Sequence, residues 1–159
     1  MPTTLASVKG FLACRRVAIV GISRDPNSFS VKLFRELNRL GFDVIPVNPK
    51  AQELEARPCF ASVKDIQPPI QAVLLMTSPL VTERIVRECF EIGVKRIWMY
   101  RAGGKGAVSA EAVQFCRGHE IEVIPGECPL MFLSHSGAIH HAHGWIRKLT
   151  GRYPARAAA

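Results

Sequence analysis

A polar segment after the first apolar run of the sequence has the residue types of a phosphate-binding loop. The apolar run ends at Gly21, and Ser23, Arg24 and Ser28 follow before an amphipathic segment begins. A buried strand, a tight turn and a helix N-terminus place unpaired backbone N–H groups and the positive end of the helix dipole at one point. We therefore predict that this loop binds phosphate.

A second polar turn, Asn48-Pro49-Lys50, follows the next apolar run. Domains that bind NAD usually carry an acidic residue here to hold the ribose hydroxyls, whereas this turn offers an amide and a cation. The first loop also lacks the Gly-x-Gly-x-x-Gly fingerprint of dinucleotide binders, since Gly21 is its single glycine. A lysine favours a phosphorylated ribose, which leaves NADP, with its 2′-phosphate, and coenzyme A (CoA), with its 3′-phosphate, as candidate ligands.

Two further loops follow apolar runs. Thr77-Ser78-Pro79 ends the third run, and we predict that Ser78 caps a helix whose first residue is Pro79. Residues 101–106 form a glycine-rich loop after the fourth run, but it lacks the Walker spacing and the Ser or Thr after the lysine. We interpret it as a surface loop.

Short apolar runs alternate with amphipathic segments, and this pattern predicts an α/β fold. We expect a Rossmann-like, doubly wound parallel sheet of about five strands between two helical layers. Strands are predicted near residues 16–20, 42–47, 71–76, 94–100 and 121–124, and helices near 5–12, 31–40, 79–92 and 109–117, with at most a short helix at 62–66. Because ligands bind beyond the carboxyl ends of such strands, the polar loops should form one site.

Composition and charge limit the classes of protein. With 159 residues, 48% of them hydrophobic, the chain can bury one core, and we predict a single domain over residues 1–150 with a disordered tail at 151–159. The net charge of +8 is spread along the chain without a basic block, so we expect an anionic small ligand rather than nucleic acid. The apolar runs are far shorter than the roughly 18 residues of a membrane span. Lys9, Arg15 and Arg16 interrupt the N-terminus, so no secretory signal is expected. Together with five widely spaced cysteines, which indicate a reducing compartment, this predicts a cytoplasmic protein.

Cysteines and histidines are interpreted as structural. The five cysteines lie far apart without a Cys-x-x-Cys pair, which argues against disulfides and zinc. Cys128 is interpreted as a buried or unreactive thiol rather than a reactive one near the CoA thiol. His140 and His143 would share a helical face, but no acid or cysteine joins them at ligand spacing, so no metal site is predicted.

Several of these segments resemble small stand-alone CoA-binding proteins, which are similar to the N-terminal domain of the succinyl-CoA synthetase α subunit. The resemblance covers about residues 5–129, and the Pro-Val-Asn-Pro turn at residues 46–49 is its most specific part. It implies that the first loop binds the pyrophosphate, the second turn the adenosine and 3′-phosphate, and the third the nucleotide and pantetheine. The implied CoA-binding residues are Gly21, Ser23, Arg24, Ser28, Asn48, Pro49, Lys50, Thr77, Ser78 and Pro79.

The sequence therefore predicts a protein that binds CoA or an acyl-CoA without catalysis of its own. No nucleophile, base and orienting group can be assembled from it. The faint likeness of His135-Ser136-Gly137-Ala138 to the synthetase's phosphohistidine loop is interpreted as coincidence. The alternatives are a subunit of an acyl-CoA ligase or transferase completed by a partner chain, an NADP-binding module, and a protein-interaction module.

Overall fold

A parallel sheet of five strands, flanked by four α-helices, organises the part of the chain that the structure describes. The structure is a computed structural model, and it describes residues 3–101 and 106–133. The helices are α1 (Leu5–Ala13), α2 (Phe29–Arg39), α3 (Pro79–Glu91) and α4 (Ala110–Gly118), and the strands are β1 (Arg16–Val20), β2 (Asp43–Val47), β3 (Glu53–Leu54), β4 (Arg57–Pro58), β5 (Ala72–Leu75), β6 (Arg96–Met99) and β7 (Glu122–Pro125).

The order of the strands locates the ligand-binding edge. The main sheet runs β2-β1-β5-β6-β7, and each neighbouring pair is parallel. The chain moves outward from β1 to β2 and then returns to place β5 on the other side of β1. The strand order therefore reverses between β1 and β5, which is where open α/β sheets form a ligand crevice. The predicted Rossmann-like sheet of about five strands is confirmed.

The side chains of β1 alternate between two apolar clusters, one on each face of the sheet. Val17 and Ile19 of β1 pack in one apolar cluster with residues of α1 and α2, whereas Ala18 and Val20 pack in a second cluster with residues of α3 and α4. Successive side chains of a strand point to opposite faces, so a strand that is apolar throughout must be covered on both. The predicted arrangement of a sheet between two helical layers is confirmed.

Helix α2 begins two residues earlier than the predicted residue 31. The hydroxyl of Ser28 accepts a hydrogen bond from the Val31 N–H at 3.4 Å, so the helix starts directly after its cap. Its buried side chains include Leu33, Phe34 and Leu37, whose spacing places them on one face. The helix therefore packs firmly on the sheet while its N-terminus stays at the carboxyl end of β1.

The connection from β2 to β5 contains a hairpin that the sequence did not predict. The antiparallel strands β3 and β4 are joined by Glu55 and Ala56, whose φ angles are 53° and 56°. Such turns normally carry Asn or Gly, so this one lacks its usual signature. A predicted short helix near residues 62–66 is confirmed as a 3₁₀ helix over Val63–Asp65, which begins with a capping box from Ser62.

Several predictions concern residues outside the described ranges. Most of the glycine-rich loop, all four histidines near the end of the chain and the tail at 151–159 belong to this group. The extent of the domain, residues 1–150, also stays a prediction. Within the described ranges, no helix has the length and apolarity needed to span a membrane, and no cluster of side chains suits a metal ion.

Candidate functional site

Two adjoining cavities lie where β1, β2 and β5 end. The first has a volume of about 510 Å³ and is lined by the turn after β2, the 3₁₀ helix and α3. The second, of about 360 Å³, is lined by the start of α2 and the segments after β5 and β6. Gly21 and Thr77 border both cavities and form the ridge between them. Together the cavities make one crevice across the point where the strand order reverses, and the first alone has the size of a small-molecule site.

Gly21 allows the loops after β1 and β5 to touch. Its φ is +86°, and a Cβ atom built there would lie 2.8 Å from the Met76 carbonyl oxygen and 2.9 Å from Cγ2 of Thr77. Its N–H donates to the carbonyl of Val47 at 3.0 Å, which ties the loop to β2 as well. Only glycine fits both this backbone conformation and this close approach.

The polar groups of the first loop mostly bind one another. The Ser23 N–H donates to Oγ of Ser30 at 2.9 Å, and Oγ of Ser23 accepts from the Asp25 N–H at 3.0 Å. Ser28 caps α2 and lines the second cavity, whereas Ser23 and the exposed Arg24 line neither. The N–H groups of Phe29 and Ser30, at the start of α2, belong to the donors that a helix leaves unpaired. The donors suited to an anion therefore lie at the helix N-terminus rather than in the loop before it.

Asn48 joins the first loop to the second turn. Its Nδ2 donates to the carbonyl of Ile22 at 2.8 Å, and its Oδ1 accepts from the N–H of Lys50 at 2.8 Å. Both ends of the amide are therefore engaged within the protein, and the residue positions the site. Pro49 and Lys50 are exposed and line the first cavity. The Lys50 ammonium group forms no ion pair with any residue in the described ranges.

The turn after β5 contributes one of its three predicted residues to the crevice. The hydroxyls of Thr77 and Thr82 are 2.8 Å apart, which fixes the threonine beside Gly21. Ser78 and Pro79 line neither cavity. Ser78 is the N-cap residue of α3 and Pro79 its first residue, as predicted, but the Ser78 side chain makes no capping hydrogen bond. The predicted position of the cap is thus confirmed, but the exposed Ser78 side chain does not supply the hydrogen bond expected of it.

Sequence reasoning missed the polar residues on the far wall of the first cavity. Arg84 and Glu88 of α3 both line it, and their Nε and Oε1 atoms are 3.7 Å apart. Oε2 of Glu88 accepts a hydrogen bond from the Ser62 hydroxyl at 3.1 Å. The spacing of four residues is typical of a solvent-exposed ion pair on a helix, so the sequence held no signal that this face borders a cavity.

An aromatic pair in the second cavity was also missed. The rings of Phe29 and Tyr100 are stacked with their centroids 4.9 Å apart, and both residues line the cavity. Burial, with a smaller contribution from Cys128, raises the pKa of Tyr100 to about 12. The phenol therefore stays protonated near neutral pH and is a hydrogen-bond donor beside an apolar surface.

The fold and the crevice define an α/β protein of the Rossmann-like class. More particularly, residues 15–134 match the model of the CoA binding domain family, and the chain belongs to that family. The predicted family is thereby confirmed.

Two curated relatives are much longer proteins than this chain. The chain is 24% identical over 118 residues to the ADP-forming acetate–CoA ligase of Methanocaldococcus jannaschii, a match that covers 72% of this chain and 17% of the ligase. It is 29% identical over 94 residues to the alpha subunit of ADP-forming acetate–CoA ligase II of Pyrococcus furiosus, covering 58% of this chain and 21% of that subunit. The chain thus spans about a fifth of the length of these relatives.

A solved structure of similar size has the same fold. It is a hypothetical protein from Pyrococcus horikoshii OT3, with a TM-score of 0.72 and 27% sequence identity. The match covers 78% of this chain and 85% of that one. The architecture therefore also exists as a protein of about this length.

Proposed function

We propose that this protein binds CoA or an acyl-CoA in the crevice between β1 and β5, without catalysis of its own. The observation that carries the proposal is the position of Lys50, an exposed ammonium group that lines the first cavity and has no ion-pair partner in the described ranges. CoA differs from most adenine nucleotides in its 3′-phosphate, and a lysine at the end of β2 is suited to that group. Membership of the CoA binding domain family supports the same ligand.

The two cavities suggest how the cofactor lies. In this proposal the adenosine and its 3′-phosphate occupy the first cavity, with Lys50 at the phosphate. The diphosphate crosses the ridge at Gly21, which has no side chain to obstruct it, and meets the N–H groups of Phe29 and Ser30. The pantetheine arm then follows the second cavity, where the stacked rings of Phe29 and Tyr100 offer an apolar surface.

Calorimetric titration with CoA and dephospho-CoA tests the proposal. Replacing Lys50 by alanine should weaken the binding of CoA about five- to tenfold, because a charge-assisted contact at an exposed site contributes about 1 kcal/mol. The binding of dephospho-CoA, which lacks the 3′-phosphate, should change less than twofold.

Lys95→Ala is the matched control. Lys95 is an exposed lysine that precedes β6, at the edge of the sheet opposite the crevice, and it lines neither cavity. Its replacement removes the same charge and should leave the affinity for CoA nearly unchanged. Equal losses for CoA and dephospho-CoA in Lys50→Ala would contradict the assigned role of Lys50. Binding of NADP and not of CoA would overturn the proposed function.

A second candidate is a subunit of an acyl-CoA ligase that a partner chain completes. The specific observation in its favour is the match to a protein named as an alpha subunit, of which this chain spans 21%. Purification of the protein with its native partners would test it. Co-purification of a nucleotide-binding chain, or phosphate on His135, would favour this candidate over a protein that binds CoA alone.

A further inference from the structure

Most polar side chains of the first cavity are already engaged within the protein. The Asn48 amide binds Ile22 and Lys50, and the hydroxyls of Thr77 and Thr82 bind each other. The Ser62 hydroxyl donates to Glu88 and accepts from the N–H of Lys64 at 3.2 Å. These groups shape the cavity but have little capacity left to recognise a ligand.

Glu88 keeps acceptor capacity that faces the cavity. A carboxylate can accept about four hydrogen bonds, whereas Glu88 accepts one from Ser62 and is 3.7 Å from Nε of Arg84. Its side chain is 24% exposed, against 70% for Arg84, so it lies inside the cavity wall. Among the residues that line this cavity it is the acidic one, and it therefore selects for a hydrogen-bond donor.

The surroundings of Glu88 suit the edge of a flat ring. Val81, Ile85 and Glu88 lie on one face of α3, at spacings of four and three residues. Val63 of the 3₁₀ helix and Val47 of β2 add further apolar wall. A purine can pack against these apolar side chains, which offer a phosphate no hydrogen bond. Arg84 on the same wall is partly balanced by Glu88 at 3.7 Å, whereas Lys50 has no ion-pair partner in the described ranges. The phosphates therefore belong at the Lys50 end and the base at the Glu88 end.

We propose that Glu88 recognises the adenine base of the ligand by accepting a hydrogen bond from its exocyclic amine. This inference rests on the proposed function and adds the residue that selects the base. A base without the amine leaves the partly buried carboxylate without that donor, and a hydrogen bond to a charged group of this exposure corresponds to a loss of about tenfold in affinity.

A purely structural role for Glu88 predicts a different result. The residue could serve only to hold Ser62, and with it the 3₁₀ helix, against α3. Its replacement would then weaken every ligand of the crevice by the same factor. Base recognition and structural support can therefore be distinguished by the ratio of the dissociation constants for two ligands that differ only in the amine.

The experiment compares CoA with a CoA analogue whose base is purine, which lacks the exocyclic amine. Dissociation constants are measured by calorimetry for the wild-type chain, Glu88→Met and Glu91→Met. Glu91 is the matched control, because it belongs to the same helix and pairs with Lys64 of the same 3₁₀ helix but does not line the cavity. Methionine keeps the length of the side chain and removes its acceptor.

We expect the wild-type chain to bind CoA about tenfold more tightly than the analogue. Glu88→Met should reduce this preference to less than twofold, and Glu91→Met should retain it. Equal affinity of the wild-type chain for the two ligands would overturn the inference without any variant. An unchanged preference in Glu88→Met would overturn it as well. Failure of CoA itself to bind would instead overturn the proposed function.

Discussion

Replacing Gly21 by alanine tests the contact that joins the two cavities. The residue has a φ of +86°, and an added Cβ would lie 2.8 Å from the Met76 carbonyl oxygen and 2.9 Å from Cγ2 of Thr77. Both distances are shorter than a carbon atom tolerates, and the first one involves backbone. The loop after β1, the loop after β5 or both must therefore move to accept the methyl group.

Two costs add in this variant. A left-handed backbone conformation costs a non-glycine residue about 1–2 kcal/mol, and forcing an extra methyl group into a packed contact costs about 1–3 kcal/mol more. We expect Gly21→Ala to lower the free energy of unfolding by about 2–5 kcal/mol. Gly41 provides the control, because its φ is +83° and a Cβ there would meet nothing within 4 Å. Gly41→Ala should therefore lower the free energy of unfolding only by the backbone cost of about 1–2 kcal/mol.

Urea denaturation of the two variants gives the comparison, with equal m-values as evidence that the unfolded states are alike. Gly21→Ala should also lose most of its affinity for CoA, since the methyl group lies on the ridge that the proposed ligand position crosses. Gly41→Ala should bind normally. The reasoning fails if the two variants lose the same stability within about 0.5 kcal/mol, because the close approach would then contribute nothing.

Three further experiments follow from the described residues: a substitution, a thiol-labelling measurement and the dependence of stability on pH. Asn48→Ala removes hydrogen bonds to Ile22 and Lys50, so the free energy of unfolding should fall by about 1–3 kcal/mol and CoA should bind more weakly; unchanged stability in urea would contradict the joining role. Burial raises the pKa of Cys89 and raises that of Cys116 to about 12, so both thiols should react with a thiol reagent only after unfolding. Because unfolded thiols ionise near their ordinary value of 9.0 while these stay protonated in the fold, the protein should lose stability as the pH rises above about 9. Rapid labelling of the folded protein, or a stability that is constant up to pH 10, would contradict this.

The fold could be predicted from the sequence because each main strand is a short apolar run with a polar turn at its end. Residues 17–20 and 72–75 of two such runs are buried on both faces, so pattern and structure agree. The hairpin of β3 and β4 could not be predicted. Its strands are two residues long, and its turn uses Glu55 and Ala56 at positive φ in place of glycine or asparagine. Tertiary packing, rather than local preference, stabilises such a turn.

The candidate site could be predicted from the sequence only in part. Six of the ten predicted CoA-binding residues line the crevice, and four line neither cavity. The first group is Gly21, Ser28, Asn48, Pro49, Lys50 and Thr77, and the second is Ser23, Arg24, Ser78 and Pro79. Their role in binding CoA stays a prediction. The sequence locates lining residues that closely follow a strand, since their position at the sheet edge follows from topology. It does not locate the α3 wall, because which face of a helix borders a cavity depends on neighbouring elements and not on the helix itself.

Asn48 and Lys50 have separate roles in the second turn, which explains how an exposed lysine can contribute to a binding site. Asn48 fixes the backbone of Lys50 through a 2.8 Å hydrogen bond to its N–H, and so holds the residue at the mouth of the cavity. The ammonium group itself has no ion pair with described residues, so a ligand phosphate need not displace an internal partner. A fixed backbone lowers the ordering cost of binding, and an unpaired charge avoids a competing interaction. An Asn-Pro-Lys turn with these two properties therefore favours a phosphate ligand more than a lysine in a mobile loop would, which is the physical reason to associate this turn with the 3′-phosphate of CoA.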